Sequence, residues 1–388
     1  MTSSKPKVKV VVVGAGVLGL TSALLLLKAN YDVTVIGKHL PGDTDADYTS
    51  SCSIANWVST ATDDEEFTQH VHKVGYRYFM ELARSDESCG VHMVPHQHNV
   101  LRADGESESS FSDSSTSSSA SSSSSSSSSH SSHSSDSALP VAGNSAVPWF
   151  IRQNFVEGIK FIGDGETSGY SFQTVTIEAS KYLCHLKNEI ERHGGVLGRR
   201  SINHINEAYY LHDSHCMADL VINCTGLAST TLGGVEDHDV IPVKTQTVWT
   251  NNTISKQISL NDPNSGGEGI YVYPRMKGGT IISGSYIRDS SSSTDQKKLS
   301  KRLIKRATRY IAELTDTKTR GNTKEICKYR QDQRFMATKA NGPRVEREGT
   351  LIHNYAVCRY GFVSSIALAE KVVRLANEFV AIEHALNK

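Results

Sequence analysis

Residues Val8 to Val13 form a β-branched run that ends in Gly14-Ala15-Gly16-Val17-Leu18-Gly19. Helix-forming residues Leu20 to Lys28 follow, then a second strand pattern, Tyr31-Asp32-Val33-Thr34-Val35-Ile36. A glycine fingerprint set between two strand patterns predicts a βαβ unit that binds a dinucleotide. The first glycine permits the tight turn, the second lets a pyrophosphate approach the backbone, and the third lets helix and strand pack closely. The helix N-terminus then offers N–H groups and a partial positive charge to the phosphates. The same stretch carries no charged residue from Val10 to Leu27, a length marginal for a membrane span. Its glycines break it where strand turns into helix, and no signal-like flank precedes it, so it reads as strand plus helix.

The identity of the dinucleotide turns on the end of the second strand. A carboxylate there would bond a ribose hydroxyl, but the chain runs Ile36-Gly37-Lys38-His39. This argues against NAD. Lys38 suits the 2′-phosphate of NADP, or lies over an adenosine.

The remaining chain adds a second region and one unusual insert. At 388 residues the chain holds two to three domain-sized units. Lysine and arginine number 41, balancing 41 acidic residues, so neither nucleic acid nor a membrane is an expected partner. The seven cysteines are scattered, without a Cys-x-x-Cys pair, which reads as free thiols rather than disulfides or a zinc site. No metal is expected. Among the histidines, the closest pair, His96 and His98, lacks a carboxylate or cysteine neighbour and reads as surface or loop residues. Residues 105–145 include a nearly pure serine tract, unbroken from Ser121 to Ser129, that cannot bury enough apolar surface to order itself. It is expected to be a disordered surface insert.

Further elements follow from local pattern. Ser180 is placed to cap a helix carrying Leu183, Leu186 and Ile190, stopped by Gly194-Gly195. Ala218 to Gly226 reads as a buried strand ending in a small turn, Asn223-Cys224-Thr225-Gly226. Ile270 to Pro274 and Thr280 to Tyr286 flank Met276-Lys277-Gly278-Gly279 and predict a hairpin. Leu351 to Tyr355 reads as a strand, and a helix follows Arg359-Tyr360-Gly361-Phe362. The first and last segments would then share one sheet and one ligand.

These motifs, in this order, resemble the FAD-dependent D-amino-acid oxidases of fungal type and their relatives the D-aspartate oxidases. The resemblance rests on the glycine fingerprint, on Lys38-His39-Leu40-Pro41-Gly42-Asp43, and on Tyr48 to Trp57. It continues through Thr174 to Leu183, Asn223 to Gly226, Pro242 to Gln246, Tyr271 to Arg275, Gly342 to Glu346 and His353-Asn354-Tyr355. It implies an α/β fold with a Rossmann-like FAD-binding domain and a second, mixed-sheet α+β substrate domain. The discontinuous FAD-binding domain would comprise 1–60, 178–242 and 345–388. The substrate domain would comprise 61–104, 146–177 and 243–344.

The resemblance also implies roles. Tyr271 matches the tyrosine that touches the substrate carboxylate, Tyr286 a second active-site tyrosine, and Arg334 the arginine that clamps the carboxylate, with Arg330 as the alternative. FAD would be held by Gly14, Gly16, Val17, Leu18, Gly19, Lys38, Ser50, Ser51, Asn56, Ile202, Thr225, Gly226, Arg359, Tyr360, Gly361, Phe362 and Val363. The family's glycine-rich flavin loop is replaced here by Ala356-Val357-Cys358-Arg359-Tyr360-Gly361. Arg359 either places a cation near the flavin or points outward.

The implied reaction moves a hydride from Cα of a D-amino acid to flavin N5, giving a 2-oxo acid, ammonia and, from oxygen, hydrogen peroxide. It needs orientation more than it needs a nucleophile or metal. Three alternatives stand beside it: a D-aspartate oxidase, an NADP-dependent dehydrogenase suggested by Lys38, and an inactive flavin-binding protein suggested by the altered loop. A homodimer is compatible with the family. The family is often peroxisomal, but the chain ends Leu386-Asn387-Lys388, which is not a peroxisomal tripeptide; the expected location is the peroxisomal matrix, or otherwise the cytoplasm.

Overall fold

The computed structural model describes residues 7–45, 47–51, 53–101, 147–163, 167–261, 269–276, 278–287, 296–315, 329–338 and 342–386. For 101, 167, 244–246, 285–287, 296–297 and 329–338 it describes the backbone alone. The serine tract lies outside the described residues.

The fingerprint folds as expected. Strand β1 (Lys9–Val13) leads through the glycine turn into α1 (Val17–Lys28) and then β2 (Asp32–Gly37). β1 and β2 pair in parallel, with Val10 opposite Val33 and Val13 opposite Ile36. The charge-free run is explained by burial from several sides at once. α1 is buried on most of its circumference because α4 (Ala179–Arg192) and α6 (Gly361–Leu386) pack on it as well as β1 and β2. Its two hydroxyls bond back to the preceding turn, Thr21 to Val17 and Ser22 to Leu18, so the buried polar atoms are satisfied. Among the described residues no helix is long and apolar enough to cross a membrane.

Six strands make the first sheet. Its order is β14 (Arg344–Glu348), β15 (Leu351–Tyr355), β8 (Leu220–Asn223), β1, β2 and β7 (Val196–Arg199). All neighbours are parallel except β14 and β15. The first and last segments of the chain thus do share a sheet. The C-terminal ends of β1 and β8 lie side by side, which is where open α/β sheets bind ligands.

The second sheet is mixed and has nine strands. Its path is β13 (Tyr329–Thr338), β9 (Ile241–Thr250), β12 (Thr280–Ile287), β11 (Ile270–Pro274), β10 (Gln257–Asn261), β4 (Val91–Leu101), β6 (Thr167–Glu178) and β3 (Ile54–Asn56), with β5 (Lys160–Gly163) beside β6. Only β10 and β4 pair in parallel. The β11–β12 hairpin forms as predicted, its turn closed by two left-handed glycines, Gly278 and Gly279.

The sheets redraw the boundaries read from sequence. β3 lies before residue 60 yet pairs in the larger sheet, and Arg344 opens a strand of the smaller one. One apolar core runs through α1, β1, α2 (Glu66–Ser85), β6 and α6, so the chain can cross between sheets without leaving it. Ser180 is not a cap: β6 continues straight into α4, Glu178 takes the N-cap position, and no side chain caps the helix. The stop at Gly194, φ +85°, is as expected.

Candidate active site

The cavity lies between the sheets. At one end stands the glycine turn. Gly14 has φ +109°, and a Cβ there would come within 2.4 Å of the carbonyl oxygen of Cys224, the residue just after β8. Gly16 is the N-cap of α1, and its backbone with Val17 and Leu18 lines the cavity. Ser50 Oγ accepts from Val17 N–H at 3.1 Å, and Tyr48 donates its hydroxyl to the Ala15 carbonyl at 2.5 Å. The segment carrying Ser50 is thereby fastened onto the phosphate-binding turn. Ser51 sits in the same segment but does not line the cavity, and neither do Thr225 and Val363. Gly19 serves packing alone: a Cβ there would sit 1.8 Å from the Gly14 carbonyl oxygen.

Lys38 and Ile202 are not brought to the cavity. The Lys38 ammonium bonds Asp47 at 2.5 Å, and Arg199 forks onto Asp43, holding its carboxyl down to about 2. Lys38 is thus committed to Asp47 and Arg199 to Asp43, so neither is held ready for a 2′-phosphate. Ile202 packs in an apolar cluster with Val11, Val13 and Ile36. Cys224 is buried, and burial pushes its thiol up to about 12, so it is an inert wall residue.

The other end is walled by two loops. Thr49, Ser50, Ser53, Ile54, Asn56, Val58 and Thr60 form one side, and Ala356 to Phe362 the other. Ala356 and Cys358 have φ +67° and +51°, so the loop keeps a left-handed backbone that favours glycine while carrying side chains there. Arg359 lines the cavity rather than pointing outward. Its Nη2 donates to Thr60 Oγ1 at 3.0 Å and its Nε to Tyr360 hydroxyl at 2.8 Å, bridging the two walls. Among the described residues it is the only charged group lining the cavity. Gly361 and Phe362 begin α6, so a second helix N-terminus also faces this space.

The larger sheet covers this end with Tyr271, Tyr273 and Ser283. Tyr271 pairs with Ser283, Ser283 with Thr247, and Thr247 with Asp332. A bulge at Gly284 then shifts the register of β12 by one residue, so that Tyr286 pairs with Thr245. The bulge brings Tyr286 into the same phase as Ser283 and Tyr271. A Cβ at Gly284 would meet the Gly269 carbonyl oxygen at 2.5 Å, so the position demands glycine. Arg334 also pairs with Thr245, from the other side of β9. Tyr286 and Arg334 therefore share one register row, two residues along β9 from the row of Tyr271 and in phase with it. Arg330 pairs with Trp249, whose row runs through Ile281 to Tyr273.

The paired histidines are not surface residues. His96 is 2% exposed, and its Nε2 lies 2.9 Å from Ser259 Oγ, which in turn lies 2.7 Å from His98 Nδ1. Ser259 is the cross-strand partner of Tyr271. His72 is likewise buried, bonded to Ser59 and packed against the Tyr360 ring at a tilt of 50°, with the ring centres 4.8 Å apart. Burial pushes His96 down to about 3 and His98 to about 4; burial and then Arg359 push His72 to about 4. Sequence alone missed this group because its partners come from strands far apart in the chain.

These depressed values make a stability prediction. In the unfolded chain each histidine takes up a proton near pH 6.5, while in the folded chain it stays neutral down to about pH 4 or lower. Below pH 6.5 the unfolded state therefore binds more protons, and stability falls with pH until the folded histidines titrate too. Each buried histidine costs about 1.4 kcal/mol per pH unit across that window. The melting temperature is expected to drop steeply between pH 6.5 and 4, and less steeply in His96→Gln. A melting temperature unchanged from pH 7 to 4.5 would contradict the burial of these rings.

The cavity runs from the N-terminus of α1, at Gly16 and Val17, to the hairpin residues Tyr271 and Tyr273. A parallel sheet with a glycine turn, a mixed sheet and a cavity between them define the fold of a dinucleotide-dependent oxidoreductase. The model of the FAD dependent oxidoreductase family matches residues 9–375, and the chain belongs to that family. Its cofactor is FAD, and the site fits it: the glycine turn and the N-terminus of α1 would hold the pyrophosphate, and β2 ends in Gly37 rather than a carboxylate that would select NAD. The chain is 29% identical over 382 residues to a D-amino-acid oxidase of Fusarium vanettenii, covering 95% of this chain and 96% of the relative. It is 23% identical over 424 residues to a D-aspartate oxidase of Cryptococcus neoformans, covering 97% of each. Among solved structures it resembles glycine oxidase from Geobacillus kaustophilus, with TM-score 0.64 at 14% identity, covering 96% of this chain and 95% of the other.

Proposed function

We propose that the protein catalyses oxidative deamination of D-amino acids, yielding a 2-oxo acid and ammonia, with oxygen reduced to hydrogen peroxide. The observation that carries this reading is the cavity itself. It joins the dinucleotide cradle to a roof of Tyr271, Tyr273 and Ser283, and among the described residues it holds no carboxylate lining. Bound FAD supplies the acceptor for the two electrons that leave the substrate α-carbon. The chain supplies orientation. Arg334 pairs with the substrate carboxylate through two parallel hydrogen bonds, and the Tyr271 hydroxyl donates to the same group.

Arg359 favours a second reading of the substrate. A cation lining the cavity suits a side-chain carboxylate, so acidic D-amino acids are the alternative to neutral ones. The test is anaerobic. Purified protein should show flavin absorption bands that bleach with a D-amino acid and persist with its L-enantiomer. Bleaching by neither enantiomer rejects the reading. Peroxide release across a D-amino-acid panel decides between neutral and acidic substrates.

The role of Tyr271 carries its own prediction. A residue that only orients the carboxylate is worth one hydrogen bond to a charged group, about 1.5–3 kcal/mol. Tyr271→Phe is therefore expected to slow anaerobic flavin reduction about ten- to a hundred-fold. A general acid–base catalyst contributes up to about 10⁴-fold. A loss beyond a thousand-fold with substrate binding intact would assign Tyr271 to proton abstraction instead.

A further inference from the structure

A buried hydrogen-bond chain behind the cavity has only one possible direction. Gln257, fully buried, donates its Nε2 to the Val175 carbonyl at 3.0 Å. A carbonyl can only accept, so the Gln257 side-chain oxygen must be the acceptor on its other side. Two groups face that oxygen, Asn56 Nδ2 at 3.1 Å and His96 Nδ1 at 3.4 Å. His96 then carries its proton on Nδ1 and presents a lone pair at Nε2 to the Ser259 hydroxyl at 2.9 Å. Ser259 oxygen in turn accepts from His98 Nδ1–H at 2.7 Å. Donation runs from His98 through Ser259 and His96 to Gln257, and meets the Asn56 amide there.

The consequence falls on Asn56, which lines the cavity. With its NH2 committed to Gln257, its amide cannot flip, and its oxygen is left as an acceptor at the cavity wall. The α-amino group of an amino acid is a donor. Among the described lining residues there is no carboxylate to receive it.

We propose that Gln257 and His96 are positioning residues that hold the Asn56 amide oxygen toward the cavity, where it accepts a hydrogen bond from the substrate amino group. This rests on the amino-acid oxidase reading above. The test compares D-alanine with propionate, which is D-alanine without its amino group; D-aspartate and succinate replace them if acidic substrates are preferred. In Gln257→Met the amide is free to turn, and KM for D-alanine is expected to rise about ten-fold. The inhibition constant of propionate should stay within two-fold, with flavin content unchanged. Asn56→Ala, at a half-buried position, should give the same split with a KM rise at least as large.

If KM and the propionate constant rise together in both variants, the network serves general packing and the proposal fails. If neither moves in Asn56→Ala, the amide makes no contact with the amino group and the proposal also fails. A wild-type protein that no D-amino acid reduces would reject the functional reading itself, and this inference with it.

Discussion

Arg334→Ala is expected to lower kcat/KM for a D-amino acid about a thousand-fold, mainly through KM, while the protein stays yellow. The physical basis is a carboxylate taken out of water and held by a guanidinium fork. Truncating one partner of a desolvated charge pair costs about 2–5 kcal/mol, because the other charge is left alone. A cost of about 4 kcal/mol, in the upper half of that range, corresponds to roughly three decades in kcat/KM. Backbone register supports the assignment, since Arg334 and Tyr286 flank the same residue, Thr245. Arg330→Ala is the companion measurement and should cost less than about ten-fold, the scale of a single secondary contact. If Arg334→Ala keeps near-wild-type kcat/KM and Arg330→Ala loses it, the clamp is Arg330.

Gly14→Val should abolish flavin retention. Two separate obstacles stand at this position. The backbone is at φ +109°, which a β-branched residue does not adopt without strain. The new Cβ would also lie 2.4 Å from the carbonyl oxygen of Cys224, which is anchored by its N–H to the Val13 carbonyl and follows directly on β8, a strand hydrogen-bonded on both sides. The turn must shift, and the helix N-terminus that receives the pyrophosphate moves with it. The expected result is colourless protein, with FAD affinity down about a hundred-fold or more. Gly198→Ala is the control: nothing lies within 4 Å of a Cβ there, and flavin content should be unchanged. A yellow, fully loaded Gly14→Val protein would reject the cradle.

How much of this was legible beforehand follows from the range of the interactions involved. The βαβ unit, the hairpin and the C-terminal strand and helix are local patterns, and their elements match within a residue or three. Ser180 misled because the rule for a helix start assumes a loop before it, whereas β6 runs directly into α4. His96 and His98 were misplaced for a different reason. Their burial depends on Ser259 and Gln257, which reach them only through the parallel pairing of β4 with β10. Arg359 was undecided until Thr60, from the opposite wall, fixed it. Lys38 gave the wrong hint because Asp47, nine residues on, neutralises it. In each case the deciding partner lay outside the local pattern.

The bulge at Gly284 makes one stretch of the chain sensitive to length rather than to composition. Strand residues normally keep count by twos, so an insertion or deletion in a hairpin is absorbed by sliding in steps of two. Beyond Gly284 that count has been offset by one. A lineage could exchange most side chains along β12 and still present Tyr286 in phase with Tyr271. Flattening the bulge with every residue kept would slide Tyr286 out of the Thr245 row, whereas deleting Gly284 itself would restore simple alternation and leave Tyr286 in that row. Comparison of related chains at this hairpin should therefore begin with spacing, and only then ask which residues stand there.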